Sequence, residues 1–211
     1  MMNNLDIWIE ALQRHWFRFS ECLAISAEQK DNLFQILLKA YSEPQRFYHT
    51  AQHIVECLDL YLQIQYLLKE PHLVELAIWF HDVIYDPKSN QNEQNSADLM
   101  QDLCHTFLDK FALKKVYLWI LATKEHVASL DHDLNYLIDI DLAILGADAS
   151  RFLQYEQQIQ QEYSWVSAEI YKVKRAEVLQ NFLNQPSIYI TLTFQQSLEQ
   201  QAKLNLEKLL A

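Results

Sequence analysis

A few of the eight histidines and 28 acidic residues of this 211-residue chain stand where charge is expensive. His81 and Asp82 follow Glu75-Leu76-Ala77-Ile78-Trp79-Phe80 and precede Val83-Ile84-Tyr85. A helix that is apolar on nearly every side buries its end along with its faces. A carboxylate carried there without a partner costs several kcal/mol, so it must be hydrogen-bonded, ion-paired or bound to a metal. His49 and His53 stand at i and i+4, which on a helix projects both from one face. Two such imidazoles can share one metal, or one can ligate while the other moves protons. Asp139 and Asp141 lie in the apolar run 137–145. Residues two apart on a helix cannot share a face, so these acids differ in role; Asp139 is placed to cap the helix that Gly146 closes. Spacing alone does not choose between them, and a His–Asp pair that merely fixes packing is the plain alternative at positions 81 and 82.

The elements that must bring these residues together read as helices. Gly146 is the only glycine, and prolines occur only at positions 44, 71, 87 and 186. Hairpins need glycine or asparagine at positive φ, so a chain this poor in glycine is all-α. Leu5, Trp8, Leu12, Trp16 and Phe19 mark a first amphipathic helix. Ser26 and Gln29 form a capping box for a second, continued by Leu33, Leu37 and Ala40. A third runs from about position 49 to 68, with Ile54, Cys57, Tyr61, Ile64 and Leu68 inward, and Pro71 opens a fourth. The polar stretch 86–95 reads as a loop. Later stripes are Met100, Leu103 and Phe107; Val116 and Ile120; Phe152, Tyr155, Ile159 and Tyr163; Val166, Ile170 and Val173; and Phe194, Leu198, Ala202 and Leu209. The expectation is one domain over residues 1–211, a helical bundle of about nine helices.

Taken together, the histidine, the later His-Asp pair and the distal aspartate in a D-L-x-x-L-G stretch resemble the HD-domain metal-dependent phosphohydrolases. The likeness lies in RFYHTAQHI (46–54), ELAIWFHDVIYD (75–86), NEQNSA (92–97), ATKEH (122–126) and DIDLAILG (139–146). It continues more weakly through EYSWV (162–166), Arg175 and IYIT (188–191). What the resemblance implies is an HD-type fold with His53, His81, Asp82 and Asp141 as metal ligands. Asp141 is preferred to Asp139 because the family's distal ligand directly precedes a Leu or Arg. His49 is similar to the proton-donating histidine of the more distant cyclic-nucleotide phosphodiesterases, although Thr50 stands where those enzymes have Asn.

Two imidazoles and two carboxylates form a mixed set suited to Mn, Fe, Co, Ni or Zn, with Mg also compatible. A divalent ion in such a set lowers the pKa of bound water, giving hydroxide for attack on phosphorus, and polarises phosphoryl oxygens. Asp82 would orient the water and His49 would protonate the departing oxygen. Glu93 and His126 are further candidates. Glu93 would take a proton or bind a second ion, and His126 would hold substrate phosphate or a second metal. Lys124, Arg46 and Arg175 could neutralise phosphate charge, but as isolated basic residues they read as solvated and are left outside the site; His15, His72, His105 and His132 belong to no constellation.

The expected activity is hydrolysis of phosphate monoesters or anhydrides in small molecules, nucleotides foremost. Two alternatives use the same residues: a di-iron oxygenase, with Glu93 and His126 as extra ligands, or a non-catalytic protein that the metal staples together. A net charge of −11 without a basic cluster argues against duplex nucleic acid as partner. The missing glycine loop excludes a glycine-rich nucleotide cradle. No apolar stretch approaches the ~20 residues of a membrane span. The start, MMNNLDIWIE, has no signal-peptide pattern. Cys22, Cys57 and Cys104 are odd in number and form no CxxC pair, as in a reducing, cytoplasmic setting. Whether the chain pairs as a homodimer is left open by the sequence.

Overall fold

Because nearly every turn must be made without glycine, the chain spends its length in helices joined by short capped connections. The computed structural model describes residues 4–211, with side chains from Asp6 onward, so the expected inward Leu5 lies outside the described side chains. Helix makes up 71% of the chain, and no strand occurs among the described residues. Among the described residues there are ten α-helices rather than about nine: α1 (Asn4–Ser20), α2 (Ala27–Ala40), α3 (Ala51–Ile64), α4 (Pro71–Phe80), α5 (Asn92–Cys104), α6 (Lys110–Ala122), α7 (His132–Asp141), α8 (Ala149–Glu162), α9 (Ala168–Leu183) and α10 (Leu192–Leu210). Short 3-10 helices follow α3 (Gln65–Leu67) and α7 (Leu142–Gly146). No described helix is long and apolar enough to cross a membrane.

The helix starts follow local chemistry. Ser26 makes the expected capping box with Gln29, and Asp109, Asp131, Asp148, Ser167 and Thr191 cap later helices by accepting backbone N–H bonds. Pro71 occupies the first turn of α4. Buried on every side, α4 carries Val74, Leu76, Ala77, Ile78, Trp79 and Phe80, all at most 3% exposed. It packs against α3, α5, α6 and α7, while Trp16 of α1 meets Trp79 edge-on at 5.4 Å. Fully burying one such aliphatic or aromatic side chain stabilises the fold by about 1.5–3 kcal/mol. The single charge within α4, Glu75, is wholly buried and is clamped by both terminal nitrogens of Arg18.

Several positions differ from the sequence expectation. The third helix begins at Ala51, not 49, because the Thr50 hydroxyl accepts from Gln52 N and fixes the N-cap there. Leu68 is buried but lies beyond the 3-10 turn, not on α3. Helix α5 starts at Asn92, which shortens the loop expected over 86–95 and puts Glu93 in a first helical turn. Asp139 does not cap a helix closed by Gly146. It sits inside α7, fully buried, and accepts from Ile190 N, Thr191 N and the Thr191 hydroxyl at 2.6–2.7 Å. Asp139 thus ties α7 to the entrance of α10.

Gly146 serves close approach, since its φ is not positive. A Cβ there would lie 2.7 Å from Leu198 Cβ and 2.8 Å from the Tyr189 hydroxyl. Of the expected inward stripes, Ile170 and Val173 face outward, at 57% and 58% exposure, and Leu209 is 39% exposed. On α9 the opposite face, which carries Arg175 and Phe182, turns toward the interior.

Candidate metal centre

Three helices deliver the four side chains that meet at the C-terminal end of α4. His53 lies in the first turn of α3, and His81 is the C-cap of α4 with Asp82 next to it. Asp141 is the last residue of α7. One nitrogen or oxygen from each of these four residues lies within 4.8 Å of the others. His53 Nε2 and His81 Nε2 are 3.2 Å apart. Asp82 Oδ2 lies 3.4 Å from His53 Nε2 and 3.1 Å from His81 Nε2, and Asp141 Oδ1 lies 3.4 and 3.5 Å from the same nitrogens.

These spacings test the fit of a cation. Metal–ligand bonds of roughly 2.1 Å put neighbouring ligand atoms about 3.0–3.4 Å apart, close to the edges observed. His81 Nδ1 donates to the Ile78 carbonyl at 2.9 Å, so once its other proton is displaced by a cation the ring would turn the Nε2 lone pair toward His53. Two imidazole nitrogens facing each other need a shared proton or a shared cation between them. The cluster can therefore hold a metal ion. Both rings are only 2% exposed.

The electrostatics agree. Burial by itself would lower the His81 imidazole, but Asp82 and Asp141 outweigh it and hold it well above its ordinary value. Burial would likewise raise both carboxyls, yet His81 with His49 keeps Asp82, and His81 with His126 and His53 keeps Asp141, far below the usual carboxylate range. The site is therefore a pair of ionised acids facing two basic imidazoles.

The surrounding residues fall into two groups. His49 is not on the helical face with His53, since it precedes the N-cap of α3. Its ring still comes within 6.0 Å of the His53 ring, because the turn at 48–50 folds it back over the site. Glu162, the last residue of α8, holds that turn: its Oε1 accepts from the backbone N of Phe47, Tyr48 and His49, and its Oε2 lies 2.7 Å from His49 Nδ1. Tyr85 donates to the same Oε2 at 3.0 Å and stacks on the His49 ring at 3.9 Å. Burial alone would raise the Glu162 carboxyl; His49 and the backbone donors outweigh it and hold it at about 2. With Nδ1 committed to Glu162, His49 has Nε2 left for other work.

His126 reaches the cluster from the turn after α6, its Nε2 3.1 Å from Asp141 Oδ2. It has φ +49°, the one positive φ among the described non-glycine residues. A backbone held in that sparsely populated region needs its surroundings to over-determine it. Glu93 does not join the cluster; it lines the adjoining cleft and pairs with Lys124 at 3.5 Å.

Arg46 does not behave as a solvated residue. Only 5% exposed, it donates from Nη1 to the Asp82 and His49 carbonyls and from Nη2 to the Val83 carbonyl. It thereby satisfies carbonyls just past the end of α4 and ties the His49 turn to the His81–Asp82 step. Ser96, buried in α5, brackets the same stretch by accepting from Ile84 N and donating to Ile84 O. Glu162 and Ser96 went unread because a carboxylate in EQQIQQE and a serine in NEQNSA look solvated.

A cleft of about 710 Å³ opens onto Asp82, Asp141, His49 and His126 and is walled by Tyr85, Glu93, Lys124, Arg175 and Phe182 among others. Comparison with family models, with curated proteins and with solved structures gives no match of any kind. What fold and site define together is a class: an all-helical protein with a buried His/Asp cluster able to hold a metal ion, open to a solvent cleft.

Proposed function

We propose that this chain is a metal-dependent phosphohydrolase of the HD type, acting on phosphate esters or anhydrides of small molecules. The observation that carries the reading is the convergence of His53, His81, Asp82 and Asp141 within 4.8 Å at the floor of a cleft. A divalent ion held by these four would supply an acidified water and polarise the phosphoryl oxygens.

The chain's own residues do the rest. Asp82 and Asp141 are about 18% and 17% exposed at the cleft floor, and Asp141 shares its second oxygen with His126. His49, with Nδ1 fixed by Glu162, presents Nε2 as the donor of a proton to the departing oxygen. Glu162 is a positioning residue, holding the imidazole in one tautomer and orientation. His126 leans on Asp141 and contributes a further imidazole at the cleft floor. Buried in the turn, Arg46 keeps the two halves of the site in register.

The test is metal analysis of the purified chain together with turnover of phosphomonoesters, dinucleotides and nucleoside triphosphates, repeated with Asp82→Ala. Stoichiometric divalent metal and a loss of roughly 10²-fold or more in the variant are expected. Equal turnover by the two proteins would defeat the proposal. A coloured protein with two irons per chain would favour oxygen chemistry instead.

A further inference from the structure

Helix α9 is unusual in this fold because Leu179 is the one buried residue among its described side chains. Leu179 joins the core, with Phe182 and Leu183 packed against it, and the rest of the inner face borders the cleft. Arg175, Val178 and Phe182 follow at intervals of three and four, so they share one face of α9, with Asn181 at its edge and Gln185 just past the C-cap Asn184. All five line the cleft above the His/Asp cluster. Phe182 lies 6.4 Å, ring to ring, from His126, which itself touches Asp141. At the other end of the face Arg175 is clamped by Glu156 and the Tyr155 hydroxyl through Nε and Nη2. That clamp leaves Nη1 without a hydrogen bond to any described residue.

Charge decides how many phosphates fit. Four carboxylates (Asp82, Glu93, Glu125 and Asp141) line the cleft against two permanent cations, Lys124 and Arg175. Lys124 already pairs with Glu93, and Arg175 with Glu156. A divalent ion at the cluster would balance the carboxylate excess and bind one phosphate. A second or third phosphate would find only Lys124 and Arg175, each already paired with an acid. The wall opposite offers amides and flat apolar rings, which suit an uncharged group with hydrogen-bonding edges.

Building on the phosphohydrolase reading, we infer that α9 is the recognition wall for the alcohol half of a phosphomonoester. Its substrate class is a monophosphate of an uncharged, ring-bearing alcohol, with Asn181, Gln185 and the Arg175 Nη1 group reading polar edges and Phe182 supporting the ring.

The experiment uses the full chain loaded with Mn²⁺ and offers the 5′-mono-, di- and triphosphates of the common nucleosides alongside glycerol phosphate. Monophosphates should be cleaved to inorganic phosphate with kcat/KM roughly tenfold or more above the triphosphates. Asn181→Ala and Gln185→Ala, both at exposed positions that leave the packing intact, should lower kcat/KM for the nucleoside monophosphate about tenfold relative to glycerol phosphate. Calorimetric binding of the free nucleosides to the metal-free chain should weaken in the same two variants. A preference for triphosphates, an equal effect on both esters or unchanged nucleoside binding overturns this inference while leaving phosphohydrolase activity standing. Failure to cleave any phosphate ester with any divalent metal takes both down.

Discussion

His49 and Glu162, 113 residues apart in the chain, meet with Nδ1 2.7 Å from Oε2, and the same carboxylate gathers three consecutive backbone N–H groups of the turn that carries the histidine. One buried acid thus sets both the backbone of the turn and the tautomer of the ring, which couples the end of α8 to the cleft floor.

Glu162→Gln should separate these two tasks. Glutamine keeps an acceptor for the backbone donors but loses the charge opposite His49. We expect kcat for phosphate-ester hydrolysis to fall roughly 10–100-fold with little change in KM. Steady-state kinetics with the fold checked by circular dichroism measures it; an equal fall in 1/KM would point to substrate binding instead.

The same carboxylate predicts acid lability. Its folded value of about 2 lies below the ordinary Glu value near 4.3, so the folded state holds the ionised form more tightly than the unfolded chain does. Its contribution is fully present above pH ~4.3 and is lost as pH falls toward ~2; the gap corresponds to about 3 kcal/mol. Urea midpoints of the wild type should drop through that window. Those of Glu162→Gln should start lower and drop less.

Metal removal gives a third outcome. A cation bound by the folded chain and not by the unfolded one stabilises the fold by mass action. Chelation should lower Tm, and added Mn²⁺ should restore it. Asp141→Asn should lose bound metal when assayed by atomic emission. The affinity of the wild type should weaken on acidification, because protons compete for the imidazoles. A Tm indifferent to chelator and metal would argue that the four side chains are only ion-paired.

Arg46→Met removes the donors that the carbonyls of His49, Asp82 and Val83 share. Stranding buried acceptors should cost about 2–4 kcal/mol in chemical denaturation. Metal affinity should fall with it, since the turn before α3 and the end of α4 are no longer held together.

Gly146→Ala should cost roughly 1–3 kcal/mol. The new Cβ meets Leu198 Cβ at 2.7 Å and the Leu198 backbone oxygen at 2.9 Å, and backbone cannot swing aside as a long side chain can. Thermal denaturation reads the loss. An unchanged Tm would mean that α10 has room to shift.

The elements themselves were legible in the chain because their causes are local. A near absence of glycine, the Ser26–Gln29 box, Pro71 at a first turn and the all-apolar face of α4 each act within a few residues, and the structure shows the helices they imply. The polar residues singled out for their apolar surroundings, His81, Asp82, His53 and Asp141, do converge, since burying them apart would have left charges without partners. Local signals failed at the margins: Thr50 caps α3 after His49, Asn92 opens α5 early, and Ile170 and Val173 face water.

What tertiary structure alone decided is who partners whom. Asp139 and Asp141 look alike in sequence, yet a rotation of about 200° along α7 sends one to the entrance of α10 and the other to the cluster. Arg46 reads as solvated, and Glu162 and Ser96 carry no reading at all, until the packing of α3, α4, α5 and α8 encloses them. Local sequence sets which face of a helix is apolar. Only the docking of distant helices sets which buried acid meets which base, because that pairing energy does not exist until the water between them has been removed.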